Sequence, residues 1–289
     1  MRAQLPPRVE RCLPWPTLGQ EIEDFRKEVR ELEELDPPPR GQIRIKKVVF
    51  QGVTQMPESA QRELAESIKK RTFEDEDGGW LDEIQEIDVR GAWQERGYFQ
   101  VKVSAKADIE TGGPELAWAT VTIRVDEGLQ YRLGKLTFSV GTVFPQETLR
   151  KLIPLREGDI FNIEKIRLGL EALARLYGSK GYIDFTSAPD TDIDKSRQRI
   201  SLMLWLDEQR QYRIGKVEVL GLNRKLERRL KSKLRPGEPF NYKAVDEFFK
   251  MNKAVLPADA STAWDMSMKR DMKNNMVDLL FDFRACPSM

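Results

Sequence analysis

Histidine is absent from the 289 residues, and cysteine occurs only twice. Without histidine the chain has no side chain that ordinarily titrates near neutral pH, no Ser-His-Asp or Cys-His device, and none of the commonest metal ligand. Cys12 and Cys286 stand near opposite ends, so neither a CxxC pair nor a zinc cage of four thiolates can be assembled. A disulfide between them and two free thiols are both open. No apolar run approaches the roughly 18–20 residues of a membrane-spanning helix. The opening stretch MRAQLPPRVERCLPWP is broken by charges and prolines and lacks the apolar core of a signal peptide. The chain therefore either stays where it is made or is a mature-length segment behind a start methionine. An excess of one charge is missing too: 48 basic against 47 acidic residues leave +1. That argues against a whole-molecule electrostatic grip on nucleic acid or an anionic membrane.

What is present is a composition able to fold, 33% charged and 40% hydrophobic, over a length that suits two or three units of about 100–150 residues. Within it one unit is written three times. Gln130-Tyr131-Arg132-Leu133-Gly134-Lys135-Leu136 returns 81 residues later (211 − 130) as Gln211-Tyr212-Arg213-Ile214-Gly215-Lys216-Val217. A looser copy, Arg44-Ile45-Lys46-Lys47-Val48-Val49-Phe50, lies 88 residues before Arg132 (132 − 44). Arg96-Gly97-Tyr98-Phe99 recurs as Lys180-Gly181-Tyr182-Ile183 at 84, and Gly158-Asp159-Ile160-Phe161-Asn162 as Gly237-Glu238-Pro239-Phe240-Asn241 at 79. A period near 80 is too long for the common solenoids, so each copy should be a small domain with its own core.

Each copy carries the same pattern. A short strand (43–51, 132–140, 213–220) leads into a turn. A first helix follows, beginning at Phe144-Pro145 in the second copy and marked by Leu226 and Leu230 in the third. A second, longer helix shows an apolar stripe, Ile163, Ile166, Leu170, Leu173, Ala174 and Tyr177 in copy two and Leu81, Ile84, Ile87 and Trp93 in copy one. Gly97 or Gly181 ends it. Two strands close the unit, the last alternating strongly through Val121, Ile123, Val125, then Leu202, Leu204, Leu206, then Leu279, Phe281, Phe283. The fold class expected is α+β, with three tandem β-α-α-β-β domains, each a mixed three-stranded sheet covered on one face by two helices.

The strand–helix–helix–strand–strand order, the GY after the second helix, and the junction Glu127-Gly128-Leu129-Gln130-Tyr131-Arg132-Leu133-Gly134-Lys135 resemble POTRA (polypeptide-transport-associated) domains. Glu208-Gln209-Arg210-Gln211-Tyr212-Arg213-Ile214-Gly215-Lys216 repeats the junction with Gln209 in place of the glycine. The resemblance covers about residues 42–289, divided as 42–129, 130–210 and 211–289. An arm (1–41) precedes it, with an a/d seam of Leu18, Ile22, Phe25, Val29 and Leu32 and the stop Pro37-Pro38-Pro39. Copy three departs from the pattern, with Ala254-Val255-Leu256-Pro257-Ala258-Asp259 where GY should stand and its middle strand expected near Trp264-Asp265-Met266. The resemblance implies the periplasmic part of an outer-membrane β-barrel assembly or translocation protein of the BamA/TamA type. A barrel would follow Met289 in such a protein, and the chain would be attached through it to the outer membrane.

The resemblance also implies how the domains act. The strand after GY lies at a sheet edge, where unpaired N–H and C=O groups can take an incoming strand. On strands 98–107 and 182–193, Phe99, Val101, Val103, Ile183 and Phe185 would grade the affinity for unfolded outer-membrane proteins or accessory subunits; the bland alternative is that they face the helices as core. Gly128, Tyr131, Gly134, Tyr212 and Gly215 mark the junctions between copies, where the tyrosines either pack between neighbours or close their own core. Arg224, Lys225, Arg228, Arg229 and Lys231 belong to a run opposed only by Glu227 before Lys233 and Arg235; this is either a solvated helix face or a contact for anionic headgroups or an acidic partner.

Several other chemistries fail. Gly128-x5-Gly134-Lys135-Leu136 is one residue too long for a phosphate loop and has no Ser or Thr after the lysine. Glu74-Asp75-Glu76-Asp77-Gly78 lacks the alternation of a calcium loop. No stacking aromatics interleave the basic run as a nucleic-acid groove would need. The expected function is therefore a periplasmic, non-enzymatic binding scaffold without metal or cofactor. A POTRA module of a cell-division or two-partner-secretion complex is the alternative, and a hydrolase working with carboxylates alone a remote one.

Overall fold

The computed structural model describes residues 40–75, 79–111, 116–139, 143–257 and 260–284. The arm seam, the proline stop and both cysteines lie outside the described residues. By compactness the described chain divides into two units, one of 40–171 with 188–205 and the other of 172–187 with 206–284.

The first repeat opens with β1 (Arg40–Gln51), then α1 (Glu58–Lys69) and β2 (Thr72–Asp75). A second helical stretch runs as α2 (Gly79–Glu83), a π-helical turn (Ile84–Val89) and α3 (Arg90–Gln94), before β3 (Lys102–Thr111) and β4 (Leu116–Asp126). Its sheet has the order β2-β1-β4-β3, with β1 parallel to β4 and β3 antiparallel to it. The expected three strands are thus joined by a fourth, β2, which pairs antiparallel with the start of β1 through Ile43 opposite Phe73. Phe73 turns its side chain into the core there, which is why an acidic stretch could still add a strand.

The π-helical turn corrects the stripe read for copy one. Trp80, Ile84, Val89 and Trp93 are the buried positions, spaced 4-5-4, and Ile87 is 66% exposed. A step of five residues cannot stay on one face of an α-helix at 3.6 residues per turn, and one widened turn restores the face. The same widening lets Glu83 and Asp88, five apart, both pair with Arg71, whose guanidinium lies 4.6 Å above the Phe73 ring.

The second repeat contains β5 (Arg132–Phe138), α4 (Gln146–Leu152), α5 (Ile163–Gly178), β6 (Thr186–Asp194) and β7 (Arg199–Asp207), with sheet order β5-β7-β6. The third contains β8 (Arg213–Leu220), α6 (Arg224–Lys233), α7 (Tyr242–Asn252), a helical turn α8 (Thr262–Asp265), β9 (Met266–Asp271) and β10 (Met276–Asp282), ordered β8-β10-β9. Where GY is missing, the middle strand begins at Met266, and Trp264 and Asp265 fall in α8 rather than in the strand. Ser261 N–H donates to the Asp265 carboxylate at 2.7 Å and closes that turn.

In every sheet the closing strand is central and its inward residues are the core. Val121, Ile123 and Val125, then Leu202 and Leu204, then Val277, Leu279 and Phe281 are all at most 2% exposed. A strand paired on both sides loses all its backbone polarity to neighbours, which is what the most apolar strand of each copy needs. The first strand of each copy carries a one-residue bulge against it. Leu133 and Leu136 face Ile200 and Leu202, and Ile214 and Val217 face Val277 and Leu279. The N–H groups of Lys135 and Lys216 on the bulges donate to Ser201 Oγ at 3.3 Å and Asp278 Oδ1 at 2.6 Å.

Candidate functional site

The junction between copies is built twice from the same parts. Tyr131 N–H donates to Gly97 O at 2.8 Å and Gln130 Nε2 to Arg96 O at 2.9 Å. Tyr212 N–H donates to Gly181 O at 2.8 Å and Gln211 Nε2 to Lys180 O at 2.9 Å. The carbonyls of the same tyrosines accept from Phe161 N–H at 2.9 Å and Phe240 N–H at 3.0 Å. Arg132 and Arg213 reach the carbonyls of Gly158 and Gly237, each at 2.8 Å. The GY turn of one copy is thereby held by the first strand and second turn of the next. Tyr131 and Tyr212 are each 1% exposed, so the junction tyrosines are buried where the copies meet.

The GY glycines set the closeness of this contact. Gly97 and Gly181 have φ of +89° and +88°, and a Cβ on them would stand 2.8 Å from Tyr131 O and 2.5 Å from Tyr212 O. Only glycine combines that backbone with that approach. Of the junction residues expected from the sequence, Gly134 and Gly215 instead occupy the bulges, against Ser201 and Asp278, and Gly128 has φ +65° beside the Gln100 carbonyl. The residues that sequence reading missed at the junction are Gly97 and Gly181; the recurrence of the GY dipeptide at the repeat period was the available signal.

The two junctions differ in charge. Tyr131 donates its hydroxyl to Gln100 Oε1 at 2.9 Å, a neutral pair. At the position of Gln100 plus 84 stands Asp184, which pairs with Arg270 at 3.2 Å. Burial, and then the hydrogen bond to Asp184, raise the Tyr212 hydroxyl above its ordinary pKa.

Beside the first junction Glu127 is 6% exposed and receives five donors: Thr54 N–H at 2.9 Å, Thr54 Oγ at 2.7 Å, Gln55 N–H at 3.0 Å, Trp93 Nε1 at 3.0 Å and Met56 N–H at 3.4 Å. Burial works to raise its pKa, but the bonds from Thr54, Trp93 and Gln55 outweigh it and hold the carboxyl below its ordinary value. The carboxylate ties the turn after β1 to the end of β4 and to the second helix. In copy two the pair is Tyr177 hydroxyl to Glu208 at 2.8 Å. In copy three the corresponding residues are Leu256 and Phe283, both in one apolar cluster.

β3, β6 and β9, the strands after the second helix, are the sheet edges. Of the five side chains expected to grade a client strand, Val103 lies on the edge strand β3. β3 begins at Lys102 and β6 at Thr186, so Phe99, Val101, Ile183 and Phe185 precede the edges. Tight turns after each GY, closed by Val101 N–H to Tyr98 O and Phe185 N–H to Tyr182 O, delay both strands. Val101 and Val103 are core residues of the first repeat. Phe99 meets Phe161 edge-on at 5.3 Å, Phe185 stacks on Tyr177 at 3.9 Å, and Ile183 packs on the core of the third repeat. Inward positions of a half-covered sheet are filled by its own helices.

On α6, Leu226 and Leu230 are buried and Asn223 caps the helix by accepting from Lys225 N–H and Leu226 N–H, each at 3.0 Å. Lys231 pairs with Glu227 at 2.8 Å and Arg229 donates to Asn252 at 3.1 Å, while Arg224, Lys225 and Arg228 are exposed. Met251 and Val255, near the end of α7, are exposed as well. Among the described residues no group of three His, Cys, Asp or Glu could hold a metal ion, and no helix is long and apolar enough to cross a membrane.

Comparison with known proteins shows what these features are similar to. Residues 131–209 match the POTRA family, described as a surface antigen variable number repeat. A putative outer membrane protein assembly factor of Treponema pallidum is 26% identical over 148 residues, 48% of this chain and 17% of that protein. The outer membrane protein assembly factor BamA of Buchnera aphidicola is 27% identical over 129 residues, 44% of this chain and 21% of that one. The matched stretches thus span about a fifth of the curated relatives' length. In fold, the chain is similar to the POTRA3–5 fragment of Haemophilus influenzae BamA, with a TM-score of 0.62, 18% identity and coverage of 86% of this chain and 98% of that one. Residues 131–209 are thus similar to a POTRA domain, and the fold of the chain is similar to that of consecutive POTRA domains of an outer membrane protein assembly factor.

Proposed function

We propose that the chain is a non-enzymatic binding scaffold of the periplasm that takes part in outer-membrane protein assembly or translocation. It receives extended segments of unfolded outer-membrane proteins, or of accessory subunits, by strand addition. In the native protein it is held at the outer membrane through a β-barrel. The observation that carries this reading is that all three sheets place the strand after the second helix at an edge and bury the apolar closing strand beside it. Such an edge offers backbone groups and reads extended geometry more than sequence. The relatives named as outer-membrane assembly factors support the same setting. A titration of the isotope-labelled chain with a barrel-strand peptide tests it: amide shifts should appear along at least one of β3, β6 and β9, and their absence from all three removes the strand-addition reading.

A second contact rests on α6. Arg224, Lys225 and Arg228 project from it without burial beside the paired Arg229 and Lys231, and this basic surface suits anionic headgroups.

A further inference from the structure

Open sheet edges invite any extended chain, and proteins that keep them usually blunt them. The three edges here differ at one equivalent position. Ala105 of β3 lies opposite Ile123, and Met268 of β9 lies opposite Leu279, the matching residue of the closing strand. In β6 the repeat offset of 84 residues puts Pro189 at this place (189 − 105).

Along a strand the N–H direction alternates in step with the side chain. Residues of these edges whose side chains face the helices therefore all turn their N–H groups to the same side. One hydrogen bond identifies that side in the first repeat. Ala105 N–H donates to Oε1 of Gln85 at 3.0 Å, so it points away from β4 and out of the sheet. Gln85 comes from the π-helical turn and reaches the edge from above. In the second repeat the same position has no N–H at all, and the proline ring stands where an incoming carbonyl would approach. In the third repeat the side chain of Met268 is turned inward, its sulfur accepting from the Tyr242 hydroxyl at 3.6 Å. Among the described residues no side chain accepts from the Met268 N–H.

We propose, on the strand-addition reading above, that β9 is the edge that receives a polypeptide strand, and that β3 and β6 are closed at this position by Gln85 and Pro189. The occupant is an extended segment of unfolded polypeptide matching the six residues Met266–Asp271. Arg270 is already engaged by Asp184, so pairing centres on Met266 and Met268. The outer-face neighbour on the strand is Lys269, which favours an acidic residue beside it in the guest.

The test uses the full chain, isotope-labelled, and a spin-labelled peptide copied from an outer-membrane barrel strand. Paramagnetic broadening at Ser267–Arg270, at peptide concentrations that leave β3 and β6 sharp, is the expected result. Broadening of β3 or β6 at the same or lower concentration overturns the assignment of the edge while leaving the scaffold reading in place. No broadening at any edge overturns both. Two variants examine the closures separately. Gln85→Ala should speed Ala105 amide exchange by at least about tenfold and open β3 to the peptide, since one outward donor is released. Pro189→Ala should open β6. If neither variant gains binding while β9 still binds, the closures are not what selects the edge and the proposal fails.

Discussion

Replacing Glu127 by alanine tests how much one buried carboxylate holds the first repeat together. Its oxygens take four hydrogen bonds of 3.0 Å or less, from Thr54 twice, Gln55 and Trp93. Hydrogen bonds to a charged group contribute about 1.5–3 kcal/mol each, but donors that water can reach recover most of that on truncation. Thr54 and Gln55 are at least partly exposed and can be rehydrated. Trp93 is fully buried, and its indole N–H would be left without a partner, at a cost of about 1–3 kcal/mol. Adding a share for the loosened turn gives about 3–4 kcal/mol for Glu127→Ala, a large part of the roughly 5–15 kcal/mol of a typical domain. Glu208→Ala in the second repeat removes one bond from a single tyrosine hydroxyl and should cost about 1 kcal/mol.

The assay must separate the repeats, because a chain of several domains does not unfold in one step. Urea denaturation followed by residue-resolved NMR does so, reading Ile43 and Val121 for the first repeat and Ile214 and Val277 for the third. Acid supplies a second signature. The folded pKa of Glu127 lies below its ordinary value of 4.5, so its contribution is full above the unfolded pKa and fades as pH falls through the folded one. The penalty of Glu127→Ala should therefore shrink below about pH 4. A first-repeat loss under about 1 kcal/mol, or one no larger than that of Glu208→Ala, would refute the reasoning.

Gly97→Ala and Gly181→Ala should each cost roughly 2–4 kcal/mol, from left-handed backbone and a Cβ driven against a tyrosine carbonyl; faster exchange of the Tyr131 or Tyr212 amide should report it. Salt should act on one junction alone: in 1 M sodium chloride the Tyr212 amide exchanges faster, through a pair worth about 0.2–1 kcal/mol, while the Tyr131 amide does not change. Reversing Arg224, Lys225 and Arg228 to glutamate should lower co-sedimentation with anionic vesicles by on the order of 100-fold at low salt and leave the fold intact by circular dichroism; unchanged sedimentation removes the headgroup contact.

Much of the fold was legible because a repeat states its pattern more than once. The closing strands alternate so regularly that their burial followed from the residues, and the helices of copies two and three fall where Leu226, Leu230 and the Ile166–Tyr177 stripe place them. The π-helical turn was hidden because its 4-5-4 spacing was read as a 3-4 stripe through Ile87; counting from Trp80 through Val89 shows it. β2 was hidden because a four-residue acidic stretch has one inward side chain and no period to detect. The starts of the edge strands were misplaced for a different reason. Phe99 and Phe185 are aromatic and follow GY, and sequence cannot tell a tight turn there from the first residues of a strand.

The three copies also answer a question usually put to an alignment, namely which residues depend on one another. Where the second helical stretch presents a donor, Trp93 or Tyr177, a glutamate follows the closing strand; where Leu256, just after α7, takes that place, Phe283 follows it. A buried donor without an acceptor is costly, whereas replacing both by apolar groups is nearly neutral, so the pair changes together or not at all. The edge obeys the same logic. Gln85 is present where the outward N–H exists to be capped, and its equivalent 84 residues on is Gly169, packed against Ile153 with no side chain to offer. A cap has no use where the donor is missing. Two independent pairs of positions thus vary in concert within a single chain. That is expected if each repeat keeps the architecture by satisfying its own polar groups, and at the position of Ala105 and Pro189 it leaves the third edge, at Met268, as the one whose outward donor is neither capped nor removed among the described residues.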